Sequence, residues 1–132
     1  LVAFSPLGRS LLTDRPHTTQ KVATMGFLKS NPRFIEPNLS ANIEATAKFR
    51  ALAADMGTSA AALSIAWLLH QSEHIIAIPG TRSVQHFLEH CTGARLNLSK
   101  EDIAQIESIL PVGWAHGDRY SQQQWIGPER YC

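Results

Sequence analysis

The chain has 132 residues, of which 44% are hydrophobic and 17% charged, a balance typical of a soluble globular domain and not of a disordered segment. Its formal net charge of +1 and the lack of any run of Lys or Arg exclude a general electrostatic surface for nucleic acid or anionic membranes, so an anion would have to be recognised locally. No apolar stretch approaches the roughly 20 residues that span a bilayer, and no signal peptide is recognisable, so we expect a cytoplasmic protein with neither nucleic acid nor membrane as partner.

The chain contains two cysteines, Cys91 inside a helical pattern and Cys132 at the terminus. Two cysteines without a secretory signal do not form a disulfide framework. We therefore predict a buried thiol at Cys91, which behaves as a small apolar side chain, and an unpaired thiol at Cys132.

The N-terminal part combines one strand with one long connection. Leu1 to Phe4 form a continuous apolar run that ends at Ser-Pro, the pattern of a parallel strand buried on both faces, and we predict a strand over residues 1–5. Residues 6–39 are rich in Pro, Gly, Thr and Asn. The proline breaks predict a long, mostly irregular loop, and loops of this length inside compact domains are usually functional.

Residues 40–71 show the periodicity of two helices. We predict Ser40 as the N-cap of the first helix, which ends at Gly57. The second helix, Ala60 to His70, starts after a Thr-Ser pair and has almost no polar face. It is therefore expected to pack against neighbours on several sides.

A second strand and two further helices follow. The apolar run Ile75 to Ile78 predicts a strand over residues 75–79. Two helices are predicted over 83–110, the first capped by Ser83 and the second opened by Ser99. The residues from 111 to 132 read as an irregular tail. The apolar side chains that recur at helical spacing in the first of these helices are expected to be buried: Val84, Phe87, Leu88 and Cys91.

The order of strands and helices predicts an α/β fold. Two parallel strands alone would leave a sheet with open edges, so the remainder of the sheet or barrel must come from elsewhere. The chain also opens directly in a strand-like run without an initiator Met. We therefore expect it to be a piece of a longer protein.

Two short segments that follow the predicted strands could bind a ligand. The segment Ser5 to Arg9 lies where the loops of α/β folds carry binding chemistry. Gly8 would let the backbone approach a ligand closely, and Ser5 offers a hydroxyl. The alternative is an ordinary Ser-Pro-Leu-Gly turn.

The second segment, Pro79 to Ser83, carries a stronger signal because it runs from a buried strand into a helix. The free N–H groups of the helix start, the Thr81 hydroxyl and the Arg82 guanidinium could converge on one phosphate monoester. The alternative is an ordinary strand-to-helix turn with a solvated arginine.

Several ordered motifs in the chain resemble the last third to half of an aldo-keto reductase. The similarity covers nearly the whole chain, and the order and spacing of the motifs make it more specific than any single one. The motif at residues 117–120 further resembles a subgroup of bacterial, plant and fungal members. The motifs are Val2 to Arg9, Pro32-Arg33-Phe34, Ala60 to Leu69, Ile78 to Arg82 followed by Glu89, and Gly117-Asp118-Arg119-Tyr120.

The resemblance implies an α/β fold that is the C-terminal part of a (β/α)8 TIM barrel. This chain would supply strands seven and eight, two parallel strands in all, with about four helices. Residues 1–132 would then be one fragment of a single barrel domain. The upstream half of the barrel would be its partner.

The resemblance also implies NADPH or NADP as cofactor. Ser5, Leu7 and Gly8 would lie along the cofactor pyrophosphate, with Arg9 in the same binding segment. A second set, Gly80, Thr81 and Arg82, would receive the adenosine 2′-phosphate that selects NADPH over NADH. A third set would flank the adenine: His86, Glu89 and His90. The family usually has Asn after that Glu, whereas this chain has His90.

The implied reaction is reversible hydride transfer to the carbonyl of a small aldehyde or ketone. In the family a Tyr donates the proton, assisted by Lys, Asp and His, and all four belong to earlier strands. We therefore assign no catalytic residue here, since Tyr120 and Tyr131 lie in the tail. The intact protein is expected to be an NADP-dependent reductase, and this fragment alone is expected to be inactive.

Two alternatives follow from the same residues. A chain with the cofactor side but no proton donor could be a non-catalytic nucleotide-binding or interaction module. The run His86 to His90 also matches H-x-x-E-H, in which two His bind zinc. No third ligand is identifiable, so we predict no metal site.

The tail holds several large side chains whose role the sequence leaves open. Trp114, His116, Tyr120 and Trp125 could line a substrate pocket or pack against helices.

Overall fold

The computed structural model describes residues 1–126, so Tyr131 and Cys132 lie outside the described residues. The chain divides into two compact units. The first comprises Leu1–Pro16 and Thr46–Val112, and the second comprises His17–Ala45 and the segment that starts at Gly113.

The sheet of the first unit consists of two parallel strands, β1 (Val2–Phe4) and β2 (Ile76–Ile78). Val2 lies opposite Ile76, Ala3 opposite Ala77 and Phe4 opposite Ile78. The predicted parallel pair is therefore confirmed.

The prediction that these strands are buried on both faces is wrong for the described chain. Alternate residues of a strand point to opposite faces, and the four large side chains share one face. Val2, Phe4, Ile76 and Ile78 are 45–63% exposed, whereas Ala3 and Ala77 are half-buried. The face with the large side chains is therefore about half exposed within residues 1–126.

Four helices complete the first unit: α3 (Ala47–Asp55), α4 (Ala60–His70), α5 (Val84–Gly93) and α6 (Lys100–Ile109). Helix α4 is buried along its whole N-terminal half, residues 60–66, as its lack of a polar face predicted. The core joins α4 to α3 and to the chain around α6. Its buried members are Phe49, Leu52, Ala53, Ala60, Leu63, Ala66, Leu98 and Ile106.

The ends of these helices follow their local sequence. Ser59, Ser83 and Ser99 each accept a hydrogen bond from the backbone N–H three residues later, at the starts of α4, α5 and α6. Asp102 completes a capping box with Ser99, and the hydrogen bonds from Ser99 lower the pKa of Asp102. Gly57 follows α3 with a φ of 68°, a left-handed conformation that glycine adopts without strain.

Helix α5 packs on α4 with the face opposite to the predicted one. Gly93 and His90 are buried, whereas Val84, Phe87 and Leu88 are 78%, 56% and 53% exposed. Cys91, predicted to be buried, is only half-buried. The reason is a close backbone approach, because a Cβ on Gly93 would lie 2.5 Å from the carbonyl oxygen of Ala62.

The described part of the second unit contains two helices, α1 (Thr19–Ala23) and α2 (Asn38–Ala45). The loop predicted over 6–39 is therefore less irregular than expected, and it also holds 3-10 turns at Gly8–Ser10, Leu28–Ser30 and Pro32–Phe34. The single helix predicted from residue 40 to Gly57 is instead two helices, α2 and α3, separated at the buried Thr46.

Ser40 is not the N-cap that the sequence suggested, because α2 begins two residues earlier. The carboxylate of Glu36 takes that role, accepting from the Ser40 N–H at 3.2 Å and from the Thr19 hydroxyl at 2.8 Å. Hydrogen bonds from the Ser40 hydroxyl, the Thr19 hydroxyl and the Ser40 N–H lower the pKa of Glu36.

Buried amides organise the tail within the second unit. Asn42, fully buried, donates to the carbonyls of Arg33 and His116 and accepts from the His116 N–H at 2.7 Å. Asn31, also fully buried, donates to the carbonyl of Arg119 at 2.9 Å. Residues 113–126 contain no helix or strand, so these contacts define their path.

Within residues 1–126 no single helix is long and apolar enough to cross a membrane, and one bent pair, Asn38–Asp55 with Ala60–His70, passes that test by length and composition only.

Gly93→Ala tests the close approach of α5 to α4. In a free helix this change is stabilising by about 1 kcal/mol, because Gly is a poor helix former. Here the new Cβ would meet the Ala62 backbone, so we expect a net loss of about 1–3 kcal/mol on denaturant unfolding of the natural full-length protein. Gly26→Ala is the matched control, because nothing lies within 4 Å of its Cβ position. A Gly93→Ala variant as stable as the wild type would contradict this packing.

Candidate functional site

The two segments singled out in the sequence lie at the same edge of the sheet. Phe4 and Ile78 are register partners at the ends of β1 and β2, so the loops that begin at Ser5 and Pro79 leave neighbouring parallel strands. Adjacent strands are about 4.8 Å apart, which brings the starts of both loops close together. Binding groups of α/β proteins lie at this edge, the carboxyl ends of the strands.

The turn after β1 has a strained backbone. Ser5, Arg9 and Ser10 have φ values of 52°, 56° and 94°, and Gly8 has a φ of 55°. Each non-glycine residue in this region costs on the order of 1–3 kcal/mol, and such residues cluster where ligands are held. The Gly8 N–H donates to the Ser5 carbonyl at 3.0 Å, which closes the turn.

The turn after β2 is held by its own hydrogen bonds. The Ser83 N–H donates to the Thr81 hydroxyl oxygen at 3.1 Å, and that hydroxyl lies 3.3 Å from the Ser83 carbonyl, to which it donates. Ser83 in turn accepts from the His86 N–H at 3.4 Å. Gly80, Thr81 and Arg82 are exposed. The Thr81 hydroxyl is therefore engaged locally, while the Arg82 side chain extends into solvent.

The donors at this edge suit an anion. Residues 5–10 and 79–83 contain two arginines, several hydroxyls and no carboxylate. A dianionic phosphate monoester is matched by a guanidinium and by the N-terminus of a helix such as α5. The donor set therefore fits the phosphates of a dinucleotide.

The three residues expected near an adenine differ in their surroundings. His86 is exposed and Glu89 half-buried, whereas His90 is only 7% exposed, at the contact between α5 and α4. Within residues 1–126, no hydrogen-bond partner reaches its Nδ1. Burial has the largest effect on the pKa of His90 and lowers it; Glu89 raises this pKa by a smaller amount, and His86 lowers it further. His90 is therefore neutral near pH 7, and the adenine contact stays a prediction.

Residues 1–126 bring together no group of three or more His, Cys, Asp or Glu side chains that could hold a metal ion.

The Aldo/keto reductase family model matches residues 1–111 of the chain. The chain belongs to the aldo-keto reductase family. Members of this family are oxidoreductases that generally use NAD(P)H. The resemblance found in the sequence motifs is thereby confirmed.

Two curated relatives and one solved structure illustrate the similarity. The chain is 32% identical over 120 residues to the probable aldo-keto reductase 1 of Glycine max, covering 91% of this chain and 34% of that protein. It is 27% identical over 119 residues to the aldo-keto reductase str7 of Strobilurus tenacellus, covering 90% and 35%. A glycerol dehydrogenase structure from Gluconobacter oxydans matches with a TM-score of 0.62 at 25% identity, covering 83% of this chain and 33% of that chain.

This chain therefore spans about a third of the length of these relatives. The predicted fold class is confirmed, since the α/β structure with two parallel strands matches part of a family barrel. Residues 1–126 contain six α-helices, counting the short α1, where about four were predicted.

The structure explains why two of the sequence motifs occur together. Arg33, of the Pro-Arg-Phe motif, donates through Nε to the carbonyl of Gly117 at 3.2 Å. Gly117 has a φ of 82°, and a Cβ there would lie 2.8 Å from the Pro32 carbonyl oxygen. Within the second unit, the motif at 32–34 thus packs directly against the motif at 117–120.

Tyr120 packs inside the second unit. It is buried and makes edge-to-face contacts with Phe27 and Trp125, at centroid distances of 6.4 and 5.7 Å. The Arg119 guanidinium lies 5.9 Å from the same ring. Of the two roles left open for Tyr120, these contacts favour packing.

The residues that hold these segments carry no signal in the sequence. A lone Asn in a loop or helix, such as Asn31 or Asn42, matches no pattern. Ser64, in the middle of α4, lies inside an apolar run and is not marked by its neighbours. Their common feature is a polar group buried in an apolar or enclosed setting, which only the tertiary structure reveals.

The lowered pKa of His90 predicts a pH dependence of stability. The unfolded chain takes up a proton near the ordinary His pKa of 6.5, whereas the folded chain does so only at lower pH. Stability is therefore fully present above that pH and falls as the pH decreases toward the folded pKa. We expect His90→Asn to reduce the loss of unfolding free energy between about pH 7.5 and 5.5, measured by denaturant titration.

His17→Asn, in the second unit, is the comparison variant for this prediction. Burial and Lys21 also lower the pKa of His17, so its contribution has the same sign. Comparing the two variants separates the two histidines. An unchanged pH dependence in His90→Asn would contradict the role of His90 burial.

Proposed function

We propose that this chain is the NADPH-binding part of a reductase that acts on aldehyde or ketone carbonyls. The observation that carries the proposal is the pair of turns at one edge of the sheet, with arginines and hydroxyls and without carboxylates. Membership of the aldo-keto reductase family supports the reaction class. The dinucleotide would supply the hydride when bound, and the residues of this chain would bind it.

The segment after β2 is proposed to select the cofactor. The Arg82 guanidinium can donate two parallel hydrogen bonds to a phosphate, which a lysine cannot do. Gly80 leaves space beside the backbone, since nothing lies within 4 Å of a Cβ there. The Thr81 hydroxyl can turn from the Ser83 carbonyl, a bond of 3.3 Å, to a phosphate oxygen. These three residues would bind the adenosine 2′-phosphate.

The segment after β1 is proposed to follow the pyrophosphate. Ser5, Leu7, Gly8 and Arg9 lie in the strained turn, whose backbone is bent sharply at the strand end. Arg9 supplies a positive charge and Ser5 a hydroxyl. The adenine would be flanked by three residues of α5: His86, Glu89 and His90. Of these, His90 would contact the adenine from its buried position between α5 and α4.

The proton donor and its supporting residues are proposed to lie on the upstream half of the barrel, which would be the partner of this chain. The exposed sheet face supports this proposal. All-parallel sheets are covered on both faces in folded proteins, and one face here presents four large apolar side chains. Further barrel strands and their side chains would cover that face.

Arg82→Ala tests the 2′-phosphate role. In the natural full-length protein we expect the binding free energy of NADPH to weaken by about 1.5–3 kcal/mol, the cost of losing a hydrogen bond to a charged group. This corresponds to a rise of the Kd for NADPH by roughly 10- to 150-fold, with little change for NADH. Titration of cofactor fluorescence measures both constants. Arg95→Ala, just beyond the C-terminal end of α5, removes the same charge and should change neither constant. Equal weakening of both cofactors in Arg82→Ala would contradict the proposal.

A turnover assay on the same protein separates the reductase from a non-catalytic nucleotide-binding module. A reductase consumes NADPH in the presence of aldehydes or ketones, and cofactor absorbance follows this directly. Binding of NADPH without turnover across a broad panel of carbonyl compounds would support the module.

Val2→Lys tests whether the sheet face is covered by the rest of the barrel. Val2 is 58% exposed in this chain, where a lysine would be tolerated, but a lysine covered by barrel strands would leave a charge buried. We expect the natural full-length protein to lose at least about 3 kcal/mol of stability. Val112→Lys, at a fully exposed valine, is the control and should change stability by less than about 0.5 kcal/mol. Similar effects of the two variants would argue against a covered face.

A further inference from the structure

One side chain of α4 makes a polar contact that the helix itself does not need. Ser64 is 4% exposed and lies between buried apolar residues. A helical serine ordinarily donates to a carbonyl of its own preceding turn. The Ser64 hydroxyl instead donates to the carbonyl of Pro6 at 2.8 Å. The hydrogen bond therefore links α4 to the turn after β1.

The turn that receives this hydrogen bond is the strained one. Pro6 lies between Ser5, with a φ of 52°, and Gly8, with a φ of 55°. Strained residues persist only where the surrounding structure holds them. The Ser64 hydroxyl is a buried donor that fixes the orientation of the Pro6 peptide, and with it the direction in which the neighbouring backbone points.

A second contact from α4 holds the other end of the same loop. The Asp14 carboxylate accepts from the Ala60 N–H at 2.9 Å, and Ala60 is the first residue of α4. This bond satisfies a backbone donor that a helix start leaves unpaired. Residues 6 and 14 are thus both tied to α4, and the turn between them is held at its two ends.

We propose that Ser64 is a positioning residue for cofactor binding, which holds the turn from Ser5 to Arg9 in the conformation that binds the pyrophosphate. This inference rests on the proposed function. Ser64 touches no cofactor atom in this proposal and acts through the Pro6 carbonyl. Without the hydroxyl, the turn relaxes toward ordinary backbone angles, and binding must restore the strained conformation.

Ser64→Ala in the natural full-length protein tests the proposal. We expect the Kd values for NADPH and NADH to rise together by about three- to tenfold, the effect of one net hydrogen bond, because both carry the pyrophosphate. Adenosine 2′-monophosphate, which lacks the pyrophosphate, should bind as it does to the wild type. A selective loss of this kind does not arise from general destabilisation.

Ser59→Ala is the matched control on the same helix. Its hydroxyl accepts from the Ala62 N–H at 3.1 Å, so this variant also loses one serine hydrogen bond, but one within α4. We expect it to lower the melting temperature and to leave the Kd for NADPH unchanged. If Ser64→Ala does not fold, Ser64→Cys, which nearly keeps the volume and donates weakly, should show the same selective rise.

The outcomes are distinguishable. Unchanged dinucleotide binding in a folded Ser64 variant overturns the positioning role alone, as does equal weakening of NADPH and adenosine 2′-monophosphate. A wild-type protein that binds no dinucleotide overturns both this inference and the proposed function.

Discussion

The first unit depends on the burial of α4, a helix with almost no polar face. Its first seven residues are all buried, and four of them are alanines. Small side chains allow close neighbours, and the backbone of Gly93 on α5 uses this space beside Ala62. The one polar side chain in the run, Ser64, reaches the turn after β1. The same helix therefore anchors the core, the position of α5 and the strained turn.

The two turns of the candidate site have different physical origins, although they lie side by side. The turn after β1 places three non-glycine residues at positive φ and is tied to α4 at Pro6 and Asp14. The turn after β2 is closed by short-range hydrogen bonds among Thr81, Ser83 and His86. The first turn thus depends on tertiary contacts, and the second on its own sequence. Changes in the interior of α4 should reach the first turn and spare the second.

This difference also explains what could be predicted from the sequence. Caps at Ser59, Ser83 and Ser99, the apolar runs of both strands and the burial of α4 all rest on local patterns, and the structure has them. The break at Thr46 and the capping role of Glu36 rest on contacts between residues that no pattern connects. Thr46 is fully buried and accepts from the Arg50 side chain at 2.6 Å, while Glu36 binds the hydroxyl of Thr19, 17 residues away. Such contacts are decided by the tertiary fold.

The apolar face of α5 was expected to be buried and is exposed. The same kind of observation, an exposed apolar face of the sheet, supports the proposal of a barrel partner. Periodicity identifies the apolar face of a helix or strand correctly but does not say which neighbour covers it. In α5 the apolar face with Val84, Phe87 and Leu88 is exposed, and in the sheet the face with Phe4 and Ile78 is exposed too. Both faces have the apolar composition of buried surface. Strands and helices of a surrounding barrel would cover both the sheet face and the helix face that are exposed in this unit. The exposure of these residues therefore supports the proposal that the upstream half of a barrel is the partner of this chain.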